Sequence, residues 1–346
     1  SAEGHYYGYI YVRDVEKADI QDGQYEVTLR TQDDNGEDVS GLKVTGLVES
    51  GQNELFIGES PSLRATRTLG SAYDNNIEAQ KYFLPKMVVR RDGSDLQSNF
   101  INVMEPFDQE TEVLIDNVER LELDQSVEGD IAVAVSYGNV TDILLSSLDP
   151  TTPLVVDDMT LIGKMGLIRM KDGQIESMHL IGGTLLQKGS EELTDAGSYS
   201  GQIVDGLRRA DGADADGFVL DATVSSELAG STIVVTHPNG KTHGYEILNV
   251  TTTNGQSTVE LNDMDPGFTI NDEGTSALKF YPFTEWSGDT TYHIDNVVQK
   301  EPANDGGEEL SVAAILERLA HFESEGAFAH HGAAQSLNVH LKSVAH

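Results

Sequence analysis

Cysteine is absent from the 346 residues. That excludes disulfides, thiol nucleophiles and cysteine-held zinc, and it fits an exported chain as readily as a cytosolic one. Basic residues are scarce: 22 Lys and Arg stand against 58 Asp and Glu, a formal charge of −36. Nucleic acid binding needs a cationic footprint, so this balance argues against it. No apolar run approaches the ~20 residues of a membrane-spanning helix. Tryptophan occurs once, at Trp286. Local catalytic signatures are missing as well. No Gly-x-Gly-x-x-Gly leads from a strand into a helix, and there is no P-loop, His-Glu-x-x-His or Gly-x-Ser-x-Gly. The chain opens Ser1-Ala2-Glu3-Gly4 without Met or a leader, so its natural start, with any signal peptide, is expected upstream.

What is present is a chain too hydrophobic for disorder. Apolar residues make up 38%, and they fall in short regular runs rather than being thinned by charge. The acidic excess suits a protein kept soluble in high salt, where like charges are screened, and so a marine or halophilic setting. Up to about residue 300 the period is two. Tyr7, Tyr9 and Tyr11 alternate with Gly8 and Ile10, and Tyr25, Val27 and Leu29 alternate with polar neighbours. Asp22-Gly23, Asn35-Gly36 and Asp172-Gly173 mark turns. Further strands are expected at 86–90, 99–103, 131–135, 161–170, 232–236, 244–247 and 257–261. The 34 Gly residues are about a tenth of the chain, above the usual ~7%, as a turn-rich β-protein requires.

The fold class expected is all-β: two antiparallel β-sandwich-like domains followed by a short α-helical tail. The boundary is placed near 195, where polar residues thicken, giving domains at 1–195 and 196–300. Residues 301–309 (EPANDGGEE) form a linker. After it the period becomes helical, with Val312, Ile315, Leu316, Leu319 and Phe322 on one face and Ser311 as the N-cap. Ala334, Leu337, Leu341 and Val344 mark a second helix. Five His residues lie in this tail, but no two sit at i, i+4 on one helix face, so they read as solvated.

Several side chains are candidates for binding. Arg64 and Arg67 offer guanidinium forks for carboxylate or sulfate; Lys86, Arg90 and Arg91 cluster likewise. The competing reading is salt bridging to the abundant Asp and Glu. Tyr9 and Trp286 could stack on sugar rings, against the commoner role of aromatics in cores and cross-strand pairs. Asp211, Asp214, Asp216 and Asp221 could hold calcium. The loop matches an EF-hand only at Asp214-x-Asp216-Gly217 and fails at both ends, so a solvated acidic turn is preferred.

Arg64-Ala-Thr-Arg67, 82–93 (YFLPKMVVRRDG) and 100–106 (FINVMEP) together resemble the β-rich region of heparinase II/III-like polysaccharide lyases. Segments 115–118, 142–146 and 180–186 extend the likeness. Residues 237–245 (HPNGKTHGY) and 280–283 (FYPF) resemble the smaller C-terminal β-domain of bacterial members, and 309–346 resembles the first half of a FIMAH-type helical tail. The resemblance implies a secreted or cell-surface bacterial protein and a uronate-containing, acidic polysaccharide as partner. In that family β-elimination is catalysed by Asn, Tyr and His residues of a helical toroid and the early sandwich. Those parts are expected upstream, so no catalytic residue is transferred and the chain itself is expected to be non-catalytic. The alternative is an extracellular carbohydrate-binding or structural module, which could self-assemble through unpaired strand edges.

Overall fold

A computed structural model describes residues 12–32, 35–61, 83–108, 113–271, 273–280 and 283–300. Tyr9, Arg64, Arg67, the linker and the helical tail lie outside the described residues. Within them the regular structure is antiparallel strand apart from two short 3-10 turns, Arg209–Asp211 and Ser226–Leu228.

The first strands are β1 (Arg13–Ala18), β2 (Gln24–Gln32), β3 (Asp38–Val48), β4 (Gln52–Pro61), β5 (Phe83–Asp92) and β6 (Phe100–Asp108). They form two three-stranded sheets, β1-β4-β5 and β2-β3-β6. The period-two pattern explains the pairing: Tyr25, Val27, Val44, Val48 and Leu55 are buried together between the sheets, while the alternate residues of β2 stay exposed.

A second, larger sandwich follows. Its strands are β7 (Asn117–Arg120), β8 (Ile131–Tyr137), β9 (Val140–Ser146), β10 (Leu154–Val156), β11 (Met159–Ile162), β12 (Met165–Lys171), β13 (Gln174–Ile181), β14 (Leu185–Lys188) and β15 (Glu191–Thr194). A four-stranded sheet, β10-β11-β14-β15, covers the sheet containing β13-β12-β9-β8-β7. Between them lie Leu145, Leu154, Leu161, Ile168, Met178, Leu180 and Leu186, all fully buried. The first sandwich joins this one through shared apolar packing of Leu47 with Val118, Val133 and Val135. Beside that contact Glu49 pairs with Arg91 at 2.5 Å and with Arg120 at 3.4 Å.

The single strand expected over 161–170 is two strands. β11 pairs with β14 in one sheet, and β12 pairs with β13 in the other. One two-stranded ribbon therefore folds over at 163–164 and 182–183 and supplies both layers. The corner is sharp because glycines meet there: a Cβ on Gly183 would lie 2.3 Å from the Ile162 carbonyl oxygen and 2.4 Å from the Gly163 Cα. At the far end Asp172-Gly173 closes the β12–β13 hairpin with φ of 51° and 76°, left-handed values that suit this pair.

The last strands are β16 (Tyr199–Leu207), β17 (Gly217–Leu220), β18 (Thr232–Thr236), β19 (Thr242–Thr253), β20 (Gln256–Leu261), β21 (Phe268–Ile270), β22 (Thr275–Leu278), β23 (Glu285–Ser287), β24 (Thr291–Ile294) and β25 (Val297–Lys300). Where the sequence suggests a second sandwich, β16-β17-β20-β19-β18-β24 close into a barrel. β24 pairs with β16 on one side and β18 on the other, which removes both free edges. Alternation cannot distinguish the two, because barrel and sandwich share the same period. Phe218, Ile233, Val235, Val259, Phe268 and Ile294 fill its interior. β21-β22-β23 form a small separate sheet. β25 then leaves the barrel and pairs with β13, completing the six-stranded sheet of the sandwich.

Candidate functional site

The barrel end bearing the β18–β19 turn carries the aromatic side chains of interest. Pro238-Asn239-Gly240 makes this turn, with His237 N donating to the Lys241 carbonyl at 2.8 Å and Gly240 N to the His237 carbonyl at 2.8 Å. His237 is thereby fixed at the end of β18. Its ring stacks on Trp286, with centroids 4.7 Å apart and planes 24° apart. Phe268 meets it edge-on at 4.7 Å. Trp286 is placed by β23, opposite Ser276 of β22, and is half-buried.

The hydrogen bonds of His237 decide its tautomer. Nε2 lies 3.2 Å from His243 Nδ1, while Nδ1 is buried without a partner. A buried bare lone pair is less costly than a buried N–H with no acceptor, so the proton belongs on Nε2 and is donated to His243. Burial, together with the nearness of a second imidazole and of Lys241, pushes the His237 pKa down to about 4. The ring is neutral at physiological pH and serves as a flat support for Trp286.

The aromatic hairpin between β22 and β23 rests on a polar frame. Tyr245 Oη donates to the Pro266 carbonyl at 2.7 Å, and burial together with the Asp265 charge pushes its pKa up to about 12. Asp265 accepts two bonds of 2.7 Å from Arg208, which also pairs with Asp211 at 2.6 Å. The Arg208 guanidinium lies 5.8 Å from the Phe280 ring centroid. Lys279 N donates to the Gly267 carbonyl at 2.8 Å, and Leu278 N to the Thr284 carbonyl at 2.9 Å. With its root held, the hairpin presents Phe280 at 52% and Phe283 at 76% exposure.

Charge singles out the same end. Arg90 pairs with Glu54 and Asp92, Arg91 with Glu49, Arg169 with Asp142, Arg208 with Asp265 and Arg209 with Glu260. Among the described residues, three cations have no carboxylate at ion-pair distance: Lys86, Lys241 and Lys279. Two of these three lie in the turn and the hairpin that carry these aromatic residues. Lys241 closes the turn that carries His237, and Lys279 precedes Phe280; both are exposed.

The aspartates considered for calcium do not converge. Asp211 serves Arg208. Asp216 accepts from the Arg209 backbone N–H at 2.9 Å. Asp221 accepts from Gln202 N at 2.9 Å. Asp214 contributes its carbonyl to Arg209 at 3.4 Å. Among the described residues no group of three or more His, Asp or Glu could hold a metal ion. Of Arg64, Arg67, Tyr9 and Trp286, Trp286 alone lies in the described part of the chain; Lys86, Arg90 and Arg91 lie on β5, where both arginines are taken up by carboxylates. Sequence reasoning passed over Lys241, Lys279, Phe280 and Phe283 as ligand contacts. The density of aromatics in 279–286 (KFYPFTEW) was the available signal. No helix among the described residues is long and apolar enough to cross a membrane. No family model, curated protein or solved structure matches the chain.

Proposed function

We propose that the chain is a non-catalytic β-module of a secreted polysaccharide-acting protein, and that its barrel end binds an acidic polysaccharide. The observation that carries this is the pairing of unneutralised cations with exposed aromatics. In a molecule of charge −36, exposed Lys241 and Lys279 have no carboxylate partner; Lys241 bonds through its backbone to His237, on which Trp286 stacks, and Lys279 directly precedes exposed Phe280, with Phe283 in the same hairpin. Aromatic faces bury the apolar C–H face of a pyranose ring. Free ammonium groups pair with its carboxylate or sulfate. The sequence resemblance to heparinase II/III-like lyases supports a uronate-bearing chain as the ligand and an extracellular location. The acidic remainder of the surface repels the same polymer and confines it to this end.

Isothermal titration with heparan sulfate, chondroitin and alginate oligosaccharides tests the proposal. Phe283 is mostly solvent-exposed, so Phe283→Ala leaves the fold intact. It is expected to weaken binding about five-fold, equivalent to about 1 kcal/mol of aromatic contact. Equal affinity in Phe283→Ala and the parent chain, or no heat with any of the three polymers, overturns the proposal.

A further inference from the structure

Between the second sandwich and the barrel the chain crosses twice, at 195–198 and at 295–296. The apolar cores on either side share no residue. Polar groups therefore hold this joint, unlike the apolar contact between the two sandwiches. Asn296 is the inner clamp. Its Nδ2 donates to the Gly183 carbonyl at 2.8 Å and to Asp195 Oδ2 at 2.7 Å, while its Oδ1 accepts from Gly183 N at 3.0 Å. The clamp thus grips the glycine corner of the sandwich.

The outer part of the joint is a cluster of three ionisable side chains. Lys164, at the sandwich corner, places Nζ 2.8 Å from His293 Nε2 on barrel strand β24. The same Nζ is 2.8 Å from Asp295 Oδ1. His293 Nε2 is also 2.6 Å from Asp295 Oδ1, and Ser198 Oγ donates to that oxygen at 3.0 Å. One ring nitrogen is thus asked for two incompatible states. To accept from the ammonium it must be bare; to lie against a carboxylate oxygen it must carry a proton.

We propose that His293 is a proton-operated latch on the sandwich–barrel joint. Neutral, its Nε2 accepts from Lys164 and ties the sandwich corner to the barrel wall. Protonated, it donates to Asp295, and the Lys164 ammonium, now facing an imidazolium, is expelled. The barrel is then free to swing about the Asn296 clamp. The charged groups around the ring are Lys164 from the corner, Asp295 beside it, Asp195 held through Asn296, and Glu246 two strands away on the same outer barrel face. Asp295 is ionised with the latch closed. Burial acts to raise its pKa, but the bonds from Lys164, His293 and Ser198 outweigh burial and hold it below the usual carboxylate range.

The absence of cysteine makes the test clean. Spin labels are attached to Glu122→Cys on the sandwich and Thr251→Cys on the barrel, both exposed positions. Their distance distribution is measured by pulsed electron resonance at pH 8 and pH 5. The labelled parent is expected to gain a shifted, broader population at pH 5 that reverses on return to pH 8. His293→Gln, neutral throughout, is expected to show one distribution at both values. Lys164→Met is expected to show the broad population at both. An unchanged parent distribution, or a pH response that survives in His293→Gln, overturns the proposal.

Discussion

At His237 the cost of burial falls on a single nitrogen. The side chain is 2% exposed, and protonating it would create a charge among Phe268, Trp286 and a second imidazole. Its pKa is therefore lowered from 6.5 to about 4. The unfolded chain protonates this residue first as pH falls, so the folded state loses stability from pH 6.5 down to pH 4 and loses no more below that. At 1.36 kcal/mol per unit the loss is about 3 kcal/mol. Chemical denaturation at pH 7 and at pH 4 should show it as a difference between the parent and His237→Phe, which keeps the ring and has no proton to take. A parallel pH dependence in the two would contradict the buried-neutral assignment. Trp286 could be marked as a ligand-binding candidate from sequence because an aromatic ring is a stacking platform for a sugar. Its support could not, because His237 lies 49 positions earlier, on a barrel strand, and Trp286 reaches it from the separate β21-β22-β23 sheet.

Single strands and turns were readable from alternation and from Asp-Gly and Asn-Gly pairs; their sharing between sheets was not. The run over 161–170 is apolar on both sides of Gly163-Lys164, because both halves face the same core from opposite layers. Only Gly163 and the Gly182-Gly183 pair hint at the bend. Gly183→Ala would push a methyl to 2.3 Å from a backbone carbonyl, a clash that no side-chain rotation relieves. It is expected to cost at least about 2 kcal/mol. Gly173→Ala meets nothing within 4 Å and pays only for its φ of 76°, about 1 kcal/mol. Urea midpoints of the two variants should fall in that order. The reverse order would mean that the ribbon does not fold over at the glycine corner.

For the whole molecule, composition anticipated an all-β body and a surface dominated by carboxylates. It could not separate a closed barrel from a sandwich, since closure depends on which strand β24 pairs with and not on what β24 contains. Nor could it show which cations are free, because ion pairing is a property of neighbours distant in sequence: Arg208 with Asp265, Lys300 with Glu191. A charge of −36 implies self-repulsion that salt relieves, with a Debye length of about 30 Å at 0.01 M and about 3 Å at 1 M. The melting temperature is expected to rise from low millimolar to molar NaCl; a flat or falling curve would mean that the ion pairs already compensate the surface.

The same net charge gives the binding proposal its sharpest test. Any polyanion that binds must do so through a local feature, and the single tryptophan of the chain sits in that feature. Trp286 fluorescence should change saturably with heparan sulfate oligosaccharides at moderate salt and remain unchanged with an uncharged glucan. A Lys241→Glu, Lys279→Glu double variant, with its melting temperature kept, should bind at least ten-fold more weakly, about 1.4 kcal/mol. No saturable change in the parent chain, or equal binding by the double variant, would contradict the assignment of this barrel end as the polysaccharide site.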